Sequence, residues 1–291
     1  MSTGLFPRFN RFRPTLLAVL VGLGISGCAE EDSAGFEVPR LAFQPRQYVC
    51  AKTEGPLTVD GRLDEPAWRT AEPTAAFVDI EGPVKPAPYH LTTVKMLHDE
   101  RYFYVAATLE EPHVWAKLRQ RDAVIYHDND FEVFIDPDGD NHLYYELEIN
   151  ALGTEWDLML IRPYRDGGPA INAWDIQGLQ TAVQVDGTLN DPSDVDRGWS
   201  VEIAIPWEVL GQAAGRPVPP ETGDVWSVNF SRVQWRTHIE DGSYVKDTDP
   251  TTGQPLPCLL YTSDAADDEY NVGLGGGGGG CGRGGGGGGG G

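Results

Sequence analysis

The chain has 291 residues and a formal charge of −22, long enough for one sizeable domain with extensions at both ends. That balance excludes a nucleic-acid binder, because neutralising phosphates takes clustered Lys and Arg, and no such cluster occurs. The acidity reads either as a solvated surface or as a capacity for cations.

Arg8, Arg11 and Arg13 precede the apolar run Leu16–Ile25, which Ser26, Gly27 and Cys28 follow. A basic stretch, a short apolar core and small residues describe a secretory signal over 1–28. The run is shorter than the roughly 20 apolar residues of a spanning helix. The tetrad Ile25-Ser26-Gly27-Cys28 resembles the bacterial lipobox. That resemblance implies lipidation at Cys28, a membrane anchor through that lipid and a cell-envelope location. Ala29, standing where an Asp would retain the protein at the inner membrane, implies the outer one. Residues 29–46 are acidic and aperiodic and suit a flexible tether.

From residue 47 the pattern is short strands with turn punctuation. Cys50 reads as a small buried apolar residue near the domain's start. Thr92–His98 and Tyr102–Glu110 alternate and are joined by Asp-Glu-Arg, a hairpin pattern. Asp130–Asp136, His142–Asn150, Thr154–Ile161, Leu179–Val185, Gly198–Ile205 and Asp224–Trp235 follow as strands. Helical signals are confined to Asp64–Ala71 and Trp207–Gly211. Many short strands with Gly-, Pro- and Asp-rich joints predict an all-β fold, an antiparallel two-sheet β-sandwich with short peripheral helices. A parallel sheet has no room for its crossover helices.

Three stretches carry a resemblance: Leu57–Phe77 (LTVDGRLDEPAWRTAEPTAAF), Asp128–Leu158 (DNDFEVFIDPDGDNHLYYELEINALGTEWDL) and Asp196–Gly211 (DRGWSVEIAIPWEVLG). Together they resemble carbohydrate-binding module family 9 and its bacterial relatives, over almost the whole of a 47–257 domain. The resemblance implies a β-sandwich that binds the ends of polysaccharide or oligosaccharide chains without catalysis. It also implies glycoside hydrolase partners, and relatives that stand alone as lipoproteins. Residue by residue it places one ring of a sugar clamp at Tyr126, a hydroxyl-binding acid at Glu132 and an amide at Asn150. Glu148 stands where the family presents an arginine, which reverses the charge.

Such binding sets aromatic rings on a pyranose's C–H faces and polar groups on its hydroxyl rim. Trp68 reads as a plug against the sheet, and Trp199 and Trp207 read as structural. Trp115, Trp156 and Trp174, like Tyr126, lie at strand ends or in loops, open to packing or to ligand contact. In Asp136-Pro-Asp-Gly-Asp140, alternating oxygens at Asp136, Asp138 and Asp140 would suit calcium, for which the family is known; a turn-rich hairpin loop is the other reading.

Two rivals remain. A glycosidase, or a weakly hydrolytic module, needs two carboxylates across a cleft. Glu132, Glu146, Glu148 and Glu202 supply acids, but facing acids on a sheet are common on solvated surfaces. The sandwich also resembles haem-carrying electron-transfer domains, for which Met96 and His98 would be candidate ligands.

The end of the chain is different again. One permitted reverse translation of Cys258–Asp268 resembles the transposase adapter used in DNA library preparation, and a glycine run follows it. The expectation is therefore that 258–291 is adapter-derived and disordered, and that the domain stops at Pro257 without its last strand.

Overall fold

The computed structural model describes residues 45–263; the signal segment, nearly all of the tether and residues 264–291 lie outside the described residues. The described elements in chain order begin with β1 (Ala51–Lys52), α1 (Pro66–Thr70), β2 (Val78–Asp79), β3 (Thr92–His98) and β4 (Tyr102–Glu110). Next come β5 (Asp130–Asp136), β6 (Tyr144–Asn150), β7 (Glu155–Leu160), β8 (Ala170–Ile171) and β9 (Gln180–Asp186). The last are β10 (Gly198–Pro206), α2 (Trp207–Leu210), β11 (Ser227–Gln234), β12 (Thr237–Glu240), β13 (Ser243–Lys246) and β14 (Leu259–Thr262).

They form a 5-stranded sheet in the order β1-β3-β4-β10-β9 and a 7-stranded sheet in the order β2-β14-β11-β5-β6-β7-β8, with β12-β13 as a separate hairpin. All pairs are antiparallel except β1 with β3. The protein is thus the all-β antiparallel sandwich that the alternation implies. Val94, Val105, Val201 and Ile203 of the first sheet meet Phe131, Val133, Leu147, Ile149 and Phe230 of the second in one core. In β3 and β4 the period-2 pattern leaves Tyr104, Ala106 and Leu97 on the far face, and α1 covers them. Pro66 opens α1, where its missing N–H costs nothing, and Trp68 is driven into that face as the expected plug. Met96, one of the candidate haem ligands, faces the core, while His98 lies edge-on to Trp207 at 6.4 Å between ring centroids.

Two features depart from the sequence reading. Leu259–Thr262 is not irregular: β14 pairs with Ser231–Gln234 of β11 on one side and with β2 on the other. The open edge of β11 offers unpaired backbone groups, and Leu-Leu-Tyr-Thr alternates well enough to take them, with Tyr261 turned into the core. The second sheet's outer acids are not solvated either. Residues 118–127 and Tyr164 lie over that face and pack with Phe134, Tyr144, Trp156, Leu158 and Leu160 as a third layer.

Candidate functional site

The site is built by register. On β5 the residues turned away from the core are Asp130, Glu132, Phe134 and Asp136; on β6 they are Tyr144, Glu146, Glu148 and Asn150. Pairing sets Glu132 opposite Glu148, Phe134 opposite Glu146 and Asp130 opposite Asn150. From β11, Ser231 lies opposite Glu132; from β7, Trp156 lies opposite Glu148. Four carboxylates therefore share one face, under the layer that covers it, with relative exposures of 0% (Asp130), 2% (Glu132), 2% (Glu146) and 1% (Glu148).

Few donors reach them. Val233 N–H donates to Asp130 Oδ1 at 3.3 Å, Tyr126 N–H to Glu148 Oε2 at 2.9 Å, and Tyr164 O–H to Glu146 Oε2 at 2.9 Å. Asp130 Oδ2, Glu132 Oε2 and Ser231 Oγ are buried without a hydrogen-bond partner. Burial is the first cause that holds Asp130, Glu132 and Glu148 well above the ordinary carboxylate range, and repulsion among the acids adds to it. Glu146 is pushed up to about 7 by burial; its hydrogen bonds with Tyr164 and Glu148 hold it back from rising further.

Of the residues singled out in the sequence, Tyr126, Glu132 and Glu148 meet here. Tyr126 is half-buried at the edge of the covering layer, its ring 6.1 Å from that of Trp156 and 4.9 Å from that of His127. Asn150 is adjacent, but its amide is engaged in the fold. Its Nδ2 donates to Leu118 O and Asp128 Oδ2, and its Oδ1 accepts from the N–H groups of Leu152 and Thr154. Trp115 is buried beyond the end of the face with Trp235, Tyr244 and Val233, and Lys246 Nζ lies 3.3 Å from the Trp235 ring centroid. Trp174 is elsewhere: it stacks on core-facing Tyr145 at 4.8 Å and donates from Nε1 to Gln212.

Asp136, Asp138 and Asp140 bring carboxylate oxygens within 4.8 Å of one another at the far end of β5. Asp136 accepts the N–H groups of Gly139 and Asn141, as a hairpin loop would have it, and Asp138 and Asp140 stay exposed. Sequence reasoning passed over Asp130, Tyr164 and Ser231, and it took Glu146 as a surface acid. The available signal was acids two apart on adjacent paired strands.

Residues 59–218 match the family described as carbohydrate family 9 binding domain-like. The chain belongs to that family. Endo-1,4-beta-xylanase A of Thermoanaerobacterium saccharolyticum is 26% identical over 175 residues, 60% of this chain and 13% of the relative. Exoglucanase XynX of Acetivibrio thermocellus is 24% identical over 164 residues, 56% of this chain and 13% of the relative. This family 9 domain therefore matches a small part of each enzyme's length. In fold it is similar to a candidate carbohydrate-binding protein of Bacteroides uniformis, with a TM-score of 0.52 at 15% identity, covering 76% of this chain and 91% of the other.

Proposed function

We propose that the chain is a non-catalytic module that binds the ends of plant-polysaccharide or oligosaccharide chains on the outer face of its seven-stranded sheet. Tyr126 would offer a ring to the sugar's C–H face, and Glu132 and Glu148 would accept from its hydroxyls. The carrying observation is that these three residues converge: Glu132 and Glu148 are a cross-strand pair, and the Tyr126 backbone bonds Glu148. Family membership supports the ligand class. The Glu132–Glu148 pair sits side by side on adjacent strands, not across a cleft as hydrolysis requires, so the geometry favours binding over catalysis. Engaging these acids requires the turn that carries Tyr126 to lift, so weak affinity is expected.

Calorimetry of xylobiose and cellobiose against the full chain and its Tyr126→Ala variant tests this. Weak saturable binding that the variant loses, at unchanged circular dichroism, is the expected result. Failure of the unmodified chain to bind any oligosaccharide overturns it.

The remaining parts of the reading rest on the sequence. Lipidation at Cys28 would tether the module to the outer membrane, beside glycoside hydrolases of the kind its relatives' names describe. Calcium at Asp136, Asp138 and Asp140 would fasten the β5–β6 loop. The segment from Cys258 is read as adapter-coded, which makes β14 a foreign strand in the slot between β11 and β2. Resequencing the gene across Pro257 tests that.

A further inference from the structure

We propose that the covered face of the seven-stranded sheet binds one hard divalent cation, of the calcium or manganese class, between Asp130, Glu132 and Glu148, with Ser231 Oγ as a fourth oxygen. Oxygens of the three acids lie within 4.8 Å of one another. Two ligands on opposite sides of an ion at about 2.4 Å are about 4.8 Å apart, so all three can reach one ion. At that spacing each like-charge pair costs about 3 kcal/mol even at an effective dielectric near 20.

A second observation is independent of the acids. Ser231 is fully buried directly across from Glu132, and its hydroxyl has no partner. Protons alone would neutralise the acids yet leave Ser231 Oγ, Asp130 Oδ2 and Glu132 Oε2 unbonded in the arrangement seen, each at a desolvation cost of about 1–3 kcal/mol. One ion in their midst serves all three.

Two described cations, Arg232 and Lys246, are directed elsewhere. Arg232, buried on the same sheet, faces the core and pairs with Glu111. Lys246 lies against Trp235 and bonds His127 O. The donors are all oxygen, with no His or Cys, which selects calcium, magnesium or manganese over zinc and copper. The enclosed protein cage disfavours magnesium, which holds on to its waters. This assignment does not rest on the saccharide reading, and its test contains no sugar.

The full chain, stripped with chelator and repurified, is titrated with MnCl2 and then CaCl2, following free manganese by electron paramagnetic resonance and stability by thermal unfolding. Asp138→Asn with Asp140→Asn silences the surface loop, and Glu132→Gln with Glu148→Gln removes two of the proposed ligands without changing shape. One saturable site is expected to survive the first pair and to weaken at least tenfold in the second. Binding that vanishes with the loop pair, that is unchanged in the Gln pair, or that never saturates would overturn the assignment. Should the Gln pair fail to fold, the anomalous signal of manganese in crystals of the unmodified chain decides, by a peak between Asp130, Glu132 and Glu148 or by none there.

Discussion

On the outer face of the five-stranded sheet, Glu202 is buried, with a relative exposure of 1%, and three donors reach it. Trp68 Nε1 donates to Oε1 at 2.6 Å, and the N–H groups of Asp60 and Gly61 donate to Oε2 at 2.9 Å. On the outer face of the seven-stranded sheet, four acids equally withdrawn from water receive three N–H and O–H donors between them, from Val233, Tyr126 and Tyr164. Burial of an acid is therefore a poor marker of function. The first face uses its carboxylate as a bracket that ties α1 and the Asp60–Gly61 turn to β10. The second leaves its carboxylates underbonded, and a deficit of donors in a dry place is the signature of a missing positive charge or of protons.

If the first face is purely structural, breaking it should cost stability more than anything done to the second. Trp68→Ala opens a cavity beneath α1 and removes one donor from Glu202. A loss of about 3–5 kcal/mol is expected, read from urea unfolding, with divalent-ion binding unchanged in whatever fraction remains folded. A loss below about 1 kcal/mol would mean that α1 is not seated as described.

Both faces predict a pH dependence of the same sign: burial raises Glu202, with its three donors holding it back, and the second face adds four raised acids. The folded state holds Glu146 protonated up to about 7, whereas an unfolded chain releases that proton near 4.5. Between those values the unfolded chain has ionised and the folded one has not, so stability falls as pH rises and levels off above the folded value. For Glu146 alone the fall is on the order of 3 kcal/mol. Asp130, Glu132 and Glu148, shifted in the same direction by burial, add to it. Melting temperatures in chelator from pH 4.5 to 8 should decline, Glu146→Gln should flatten the lower part of the decline, and calcium should restore stability at pH 8 but not at pH 5. A flat profile in chelator would mean that the acids are solvated after all.

What the sequence disclosed follows the same division between the faces. β3, β4 and β5 keep their expected bounds, because one side of each must enter the core and alternation records that. β1, β2 and β8 have two residues each and carry no period to read. The β12–β13 hairpin was legible and missed: Asp241 and Gly242, both at positive φ, are the two-residue turn that such a hairpin favours. Strand assignment alone brings Glu132 and Glu148 together, but not their burial. That comes from residues 118–127 and Tyr164, a layer supplied by loops whose docking no local pattern encodes. For the same reason Trp174, in a loop, could not be placed on either side of the sheet in advance.

The first face also depends on a backbone that admits no side chain. Gly61 has φ +82°, and a Cβ there would lie 2.8 Å from the backbone of Val183 and Gln184 on β9. Gly61→Ala must push the turn off β9 and draw its N–H away from Glu202, at a cost of about 2 kcal/mol. The Gly61 N–H helps to hold Glu202 down, so its loss raises that carboxyl further and the variant's deficit should grow as pH rises from 4.5. A strictly parallel profile would show that the turn keeps its bond to Glu202 despite the added methyl.

The smallest effect probes one hydrogen bond of the second face. Tyr164→Phe keeps the ring that covers Phe134 and Leu158 and removes only the O–H that reaches Glu146. That bond favours the ionised carboxylate, so its loss raises the Glu146 value further and enlarges the cost of holding the charge at high pH. At pH 5, where Glu146 is protonated with or without Tyr164, the variant should melt close to the unmodified chain. At pH 8 in chelator it should be less stable by about 1 kcal/mol, and the difference should shrink when calcium supplies the charge that the hydroxyl could only partly offset. Equal destabilisation at both pH values would assign the Tyr164 hydroxyl to packing alone and leave Glu146 without its strongest link to the covering layer.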